Sequence, residues 1–267
     1  MRAVRALRGT AERLWLVVAL VAAWELVTRL MKSSEFPPPS TIVVELRELW
    51  FSGPVSRGFL TDKAVDDFST SLGHLFVGWL LAGLAGVVLG TAIGRSATLH
   101  ALLDPVMQFA RAVPPATLVP FFLIVFQLTT TMYVVTIAFG VIWPVLLNTT
   151  DGVRTVERLQ LETARVFGIS PLRRLLVIIL PAAAPKIFAG LRVSLSFALI
   201  LMVLSELTGS TAGLGARLLS AERNFETEQL WAGIVMLGVL GWLFNAVFVL
   251  LERRLLRWHS GAQRLTS

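Results

Sequence analysis

Cysteine is absent from the 267-residue chain, which excludes a disulfide scaffold, a zinc–thiolate site, an iron–sulfur cluster and a cysteine nucleophile. Charge is scarce: Asp, Glu, Lys and Arg make up 15% of residues, where soluble domains average about 25%. The only lysines are Lys32, Lys63 and Lys186, and none follows a glycine, so there is no G-K-[ST] phosphate-binding loop and no ATPase site in this chain. The three histidines, His74, His100 and His259, are scattered without metal-ligand spacing and read as packed or interfacial side chains. No G-x-S-x-G occurs; the nearest string, Gly209-Ser210-Thr211-Ala212-Gly213, carries Thr at its centre and reads as a flexible loop. An intramembrane hydrolase would therefore lack a nucleophile–base pair. The sequence points to no enzyme, no catalytic residue, no metal site and no cofactor of its own.

What is abundant is apolar. Hydrophobic residues make up 55% of the chain and mean hydropathy is +0.73, the composition of a membrane protein rather than a soluble domain. Charge-free runs cover 68–94, 112–150, 193–205 and 229–251, with a further apolar stretch at 14–24 that continues past Glu25 to Met31. The run 112–150 is too long for one crossing and fits two spans folded over Gln127–Thr131. The run 193–205 extends back to Ile187 if Arg192 snorkels to the interface. Six helices are expected, near 14–31, 72–94, 111–127, 131–149, 187–206 and 230–251, in an all-α integral membrane fold forming one domain.

The distribution of charge supports that count. Residues 1–13, 151–186 and 252–267 each carry net +3 and 95–111 carries +1, while the alternating segments 29–67 and 206–228 carry −1 and −2. Cytoplasmic loops collect Lys and Arg, so both termini are expected inside. With the whole net charge of +7 assigned to loops and span ends, nucleic-acid binding has nothing left to explain. The basic start followed by 14–24 also has the outline of a secretory signal peptide, but it lacks a small-residue cleavage site and five more spans follow. Glu25 and Arg29, at i and i+4, are expected to pair with each other.

Between the first two expected spans, Pro37-Pro38-Pro39 forms a stiff corner, and Ser40 or Thr41 is the expected cap of an amphipathic helix whose apolar face is Ile42, Val43, Leu46, Leu49 and Trp50. Such a helix lies on the membrane surface or on the bundle. Ala82, Gly86, Gly90 and Gly94, spaced by four, make a small-residue stripe suited to close helix approach, whether within the chain or between subunits. Pro114, Pro115, Pro120 and Pro144 interrupt the third and fourth spans, which suggests that these helices face the protein interior.

The segment 151–186 is rich in charge and in helix formers. Glu157–Phe167 reads as a short helix, Gly168 as its break, Ser170-Pro171 as the cap and first position of a second helix over Leu172–Leu180, and Pro181 as its stop. Glu162 can pair with Arg158 or Arg165 on its own helix, or with a basic residue of a partner. Glu206, at the end of the fifth expected span, reads either as a functional carboxylate or as an interfacial one exposed to water. Asn148, Ser194 and Ser205 can line a path or bond across helices and to their own backbone.

The run Glu162-Thr163-Ala164-Arg165-Val166-Phe167-Gly168, followed by Leu180-Pro181, resembles the E-A-A-x-x-x-G…L-P signature of ABC importer membrane subunits, with Thr163 where Ala is usual. The likeness covers about residues 37–258 and is similar in detail to the nitrate/sulfonate/taurine branch: Leu103-Asp104-Pro105, Arg111-Ala112-Val113-Pro114-Pro115, Glu206-Leu207-Thr208-Gly209-Ser210 with Gly213-Leu214-Gly215, and Leu251-Glu252-Arg253-Arg254. It departs at Gln127–Thr131, where relatives often carry a glycine and an acidic residue.

The resemblance implies the permease subunit of a type I importer in the bacterial inner membrane. It would act as a homodimer with two ATPase subunits that hold ATP and magnesium, and with a periplasmic or lipid-anchored solute-binding protein. It also implies that Glu162, Thr163, Ala164, Gly168, Leu180 and Pro181 belong to the segment that docks on the ATPase. Glu206 with Gly209, Gly213 and Gly215 is expected to form an outer gate, with Asn148, Ser194 and Ser205 as path candidates. The solute would be a small anion such as sulfonate, taurine or nitrate. A secondary carrier working without ATP is the alternative; it would need intramembrane charge for ion coupling, and apart from Arg29, Arg111 and Glu206 at their ends the expected spans hold only Glu25 and Arg192.

Overall fold

The computed structural model describes residues 2–32 and 34–257, with side chains from Trp15 onward. Among these residues the regular structure is entirely helical. Helix α1 spans Arg2–Met31, α2 Pro39–Trp50, α3 Asp62–Arg95, α4 Ala97–Ala112, α5 Val119–Phe126, α6 Thr130–Arg154 and α7 Arg158–Val166. A single turn, α8 (Pro171–Arg174), runs through a π-helical turn at Leu175–Ile179 into α9 (Leu180–Glu206), and α10 (Leu214–Arg223) and α11 (Thr227–Leu255) complete the chain.

Four stretches of the described chain are long and apolar enough to cross a membrane: Val55–Arg95, Thr130–Arg154, Pro171–Glu206 and Thr227–Leu255. The helix expected over 14–31 is the second half of α1 and begins at the edge of the residues whose side chains are described. The helix expected over 111–127 is broken. Helix α4 ends at Ala112, a 3-10 turn occupies Pro115–Leu118, and Ala97–Ala112 meets Pro115–Phe126 at 79°. The cause is local: Val113 and Pro114 each precede a proline, which disfavours the helical region, and both adopt extended backbone with ψ near 120°.

Two further expectations are corrected. Pro181 does not stop a helix at 180; a proline lacks the N–H its helix would use, and the wider π turn just before it absorbs that loss, so one helical rod runs from Pro171 to Glu206. Neither Ser40 nor Thr41 caps α2. The cap residue is Pro38, and Ser40 instead donates its hydroxyl to Glu25 Oε1 at 2.7 Å and its N–H to Oε2 at 2.9 Å. The Glu25–Arg29 pair is present at 2.6 Å, so this carboxylate fastens α1 to the start of α2.

The small-residue stripe is consumed inside the chain. Gly78 meets Ile137, Gly86 meets Val145, Gly90 meets Thr149 and Gly94 meets Val153, with added Cβ atoms falling 2.8–2.9 Å from the Cβ atoms of those side chains. The numbers rise together, so α3 and α6 run parallel in near backbone contact. Helix α9 runs antiparallel to both: Trp79 Nε1 donates to Ser194 Oγ at 2.8 Å, Gly190 rests on Asn148, and Gly152 rests on Ala183. Arg192 bonds through Nε to Asn245 Oδ1 of α11 at 2.9 Å, a polar link between two apolar helices. Outward faces stay apolar, with Leu80, Leu84, Ile124, Trp242 and Leu250 exposed, as lipid contact requires.

This packing sorts the loops into two ends. Gly94, Arg154 and the 158–183 segment gather at one, the Gly168 end; Ser71, Tyr133, Glu206 and α10 gather at the other, the Glu206 end. Acidic residues collect at the latter. There burial, and then the nearby Glu48, Glu228 and Glu226, push the carboxyl of Glu45 above its ordinary range.

Candidate functional site

At the Gly168 end, α7 closes with a left-handed corner. Gly168 has φ +67, its N–H bonds to Arg165 O at 3.0 Å, and Ile169 N–H reaches back to Ala164 O at 2.9 Å. A residue without Cβ fits that backbone at no cost. Ser170 Oγ then accepts from Arg173 N–H with Pro171 in the first helical position, as its sequence pattern predicts. The base of the segment is tied shut by Lys186 Nζ and Asp151 Oδ2, 2.6 Å apart and 35 residues distant in the chain.

Ala164 is buried against the bundle, Leu180 and Pro181 are half-buried, and Glu162 and Thr163 face outward. Glu162 takes the Arg158 guanidinium at 3.0 Å. Around them Leu159, Val166 and Phe167 are exposed, the last two at 86% and 78%. That apolar surface, on a helix too polar to lie in lipid, has no partner within the described chain.

The Glu206 end is built the opposite way. Glu206 is 0% exposed and its carboxylate is fully engaged. Ser71 Oγ donates to Oε2 at 2.8 Å, Gly215 N–H donates to Oε2 at 2.9 Å, and His74 Nδ1 lies 3.1 Å from Oε1. Ser71 Oγ also accepts from Leu214 N–H at 2.8 Å, and the His74 ring stacks on Tyr133 with centroids 4.6 Å apart. One turn earlier on α3, buried Asp67 takes the guanidinium of Arg217 through Nε and Nη2 and the indole N–H of Trp50 at 3.0 Å.

Glu206 is thus not the water-exposed interfacial carboxylate that was one reading of the sequence. It fastens the 207–215 loop and α10 to α3. The glycines of that loop serve close approach as well as backbone freedom: a Cβ at Gly213, whose φ is +111, would stand 2.7 Å from Glu206 Oε2, and one at Gly215 2.5 Å from Glu206 Cβ. Gly209, at φ +130, has only Leu128 nearby.

The remaining path candidates are satisfied internally. Asn148 Nδ2 donates to Pro144 O at 2.8 Å, Ser194 Oγ accepts from Trp79 and donates to Leu191 O, and Ser205 Oγ donates to Met202 O at 2.9 Å. The sequence reading missed Asp67, Ser71, His74 and Arg217. The available signal was the polar series 67, 71, 74 on one face at the start of an apolar helix.

Residues 82–258 match the model of the family described as binding-protein-dependent transport system inner membrane component. The chain belongs to that family. Within this permease family it is 32% identical over 254 residues to the putative aliphatic sulfonates transport permease protein SsuC of Bacillus subtilis (strain 168), covering 94% of this chain and 89% of the relative. It is 32% identical over 248 residues to the taurine transport system permease protein TauC of Escherichia coli (strain K12), with 93% and 89% covered. The bicarbonate transport system permease protein CmpB of Synechococcus elongatus is 28% identical, with 90% and 87% covered. The chain is an ABC transporter permease of the nitrate/sulfonate/taurine branch and a multi-pass membrane protein. In fold it resembles a chain of the inward-facing MetNI methionine ABC transporter, with TM-score 0.62 over 70% of this chain and 94% of that one at 15% identity.

Proposed function

We propose that this permease is the translocating subunit of an ATP-driven importer in a bacterial inner membrane. Two copies are paired with two ATPase subunits that hold ATP and magnesium, and are served by a periplasmic or lipid-anchored solute-binding protein. The observation that carries the reading is the exposed apolar surface of α7 at the positive-φ Gly168 corner, a docking face on a segment anchored to the bundle at its base. Glu162, Thr163, Ala164 and Gly168 belong to that docking segment, and Leu180-Pro181 joins it to α9.

Six spans with both termini in the cytoplasm put the Gly168 end inside, in keeping with its basic character. The Glu206 cluster then sits at the outer mouth, where Glu206, Gly209, Gly213 and Gly215 form a gate whose fastening is Ser71, His74 and the loop backbone. Relatives named for sulfonate, taurine, nitrate and bicarbonate transport favour a small anion as solute.

The His74–Glu206 pair gives the alternative, a secondary carrier, the buried ionisable partners that the sequence did not offer it. Purification from native membrane separates the two readings. Recovery of a P-loop ATPase with this chain is expected; uptake that persists after the bound ATPase is inactivated, and collapses with an ion gradient, would favour the carrier. Orientation is tested by cysteine labelling on the naturally cysteine-free chain. Ser56→Cys should react with an impermeant thiol reagent in intact cells and Ser170→Cys only after permeabilisation; the reverse pattern would overturn the topology.

A further inference from the structure

At the Gly168 end a cleft of about 300 Å³ opens between the last turns of α3 and α6 and the back of α7. Four arginines line it: Arg95 ends α3, Arg154 ends α6, Arg165 lies in the last turn of α7 and Arg174 in α8. No carboxylate is among the lining residues, and among the described residues none of the four guanidinium groups makes a hydrogen bond or an ion pair. Of the nearby acids, Glu162 is held by Arg158 and Asp151 by Lys186, while Glu157, at the start of α7, is exposed and does not line the cleft. The wall between the guanidinium groups is apolar, formed by Val153, Val156, Leu161 and Ile179.

Helix ends do not balance this charge. A helix C-terminus carries about half a negative charge, so the three ends of α3, α6 and α7 leave roughly 2.5 positive charges of the four uncompensated. Guanidinium groups recognise phosphate by paired N–H donors. Arg95 and Arg154 end two helices long and apolar enough to cross a membrane, with the apolar wall beside them, and the end of a span is where lipid headgroups lie.

We infer that this cleft binds the phosphate of an anionic phospholipid, with the glycerol and first acyl carbons against Val153, Leu161 and Ile179. The lipid becomes a wedge behind the α7 corner, holding its angle to the bundle. The inference rests on α3 and α6 as spans and not on ATPase docking, so it is tested on the full chain both alone and with whatever subunits copurify.

The probe is short-chain phosphatidylglycerol, titrated into the purified protein while thermal unfolding is followed. Short-chain phosphatidylcholine and inorganic phosphate are run in parallel. Phosphatidylglycerol should raise the melting temperature, and the combined variant Arg95→Gln, Arg154→Gln, Arg174→Gln should bind it on the order of a hundredfold more weakly, since three basic residues near the surface are removed. If that variant is not recovered, Arg95→Gln and Arg154→Gln singly should each weaken binding roughly fivefold.

Equal phosphatidylglycerol affinity in wild type and variants overturns the inference, as does an absent shift in wild type. Equal stabilisation by inorganic phosphate would make this a free-anion site and overturn the lipid assignment. Loss of ATPase from the variants with lipid affinity unchanged would assign the arginines to acidic residues of that subunit. A missing ATPase with the lipid effect intact would instead count against the importer reading and leave the lipid site standing.

Discussion

The two ends of the bundle treat their charges and apolar groups in opposite ways. At the Glu206 end, two carboxylates are buried and every oxygen is matched to a donor on another element, so the loop after α9 is held by contacts internal to the chain. At the Gly168 end the one ion pair on α7 stands in water and its large apolar side chains point away from the bundle. The fastening at the first end is complete in the isolated subunit, although Phe225 just beyond α10 stays 91% exposed; the second has an open surface whose value lies in what covers it. Folding energy should therefore concentrate at one end and assembly energy at the other.

Glu206→Ala is the strongest challenge to that contrast. It leaves Ser71, His74 and the Gly215 N–H facing a void, and removing one partner of a buried charged contact costs about 3–5 kcal/mol. Thermal unfolding of the purified subunit should register it, and a loss below 1 kcal/mol would mean that this end is not self-contained.

Asp67→Ala comes next. It strands the Trp50 indole, at about 1–3 kcal/mol for a buried donor left unpaired, while Arg217, 22% exposed, can turn its guanidinium to water, so the melting temperature should fall by less than for Glu206→Ala. A larger fall would put the main fastening at Arg217.

Gly168→Val tests the other end. No atom lies within 4 Å of its added Cβ, so only the positive φ resists, at roughly 1–2 kcal/mol. The protein should remain in the membrane while ATPase recovery and uptake are lost; normal values of both would remove the docking role.

Phe167→Asp sharpens the comparison further. An exposed position should change stability by no more than about 0.5 kcal/mol, yet ATPase recovery should drop sharply. Arg158→Ala is the smallest change, removing an exposed i, i+4 pair worth about 0.2–0.5 kcal/mol, and its unfolding curve should overlay the parent's.

What the sequence disclosed follows the range of the interactions involved. The Gly168 corner, the Ser170-Pro171 start and the Arg158–Glu162 pair each depend on residues within four positions, and all are legible in the chain itself. The Glu25–Arg29 pair was legible for the same reason, while the capture of Ser40 by Glu25, across 15 residues, was not. The Glu206–His74 contact bridges 132 residues and Arg217–Asp67 bridges 150, so nothing local marks either. Pro181 misled because a proline reads as a stop unless the turn before it widens, and a π turn leaves no compositional trace. The kink at 113–115 was carried by visible prolines, but its angle depends on how α5 packs on α6 through Val119, Phe122 and Met132.

The uninterrupted rod from Pro171 to Glu206 gives the molecule a mechanical arm. At 36 residues and 1.5 Å each it is about 54 Å long, and it is the only described helix with the basic corner at its foot and the buried carboxylate at its head. Over that length a tilt of about 5° carries the far tip roughly 5 Å, well beyond the reach of a hydrogen bond. A π-helical turn at 175–179 lies next to the arm's foot, and Pro185 removes one further helical hydrogen bond a short way above it. A bend there would swing α9 about its foot, so a small displacement at the basic corner would arrive magnified at the Glu206 fastening.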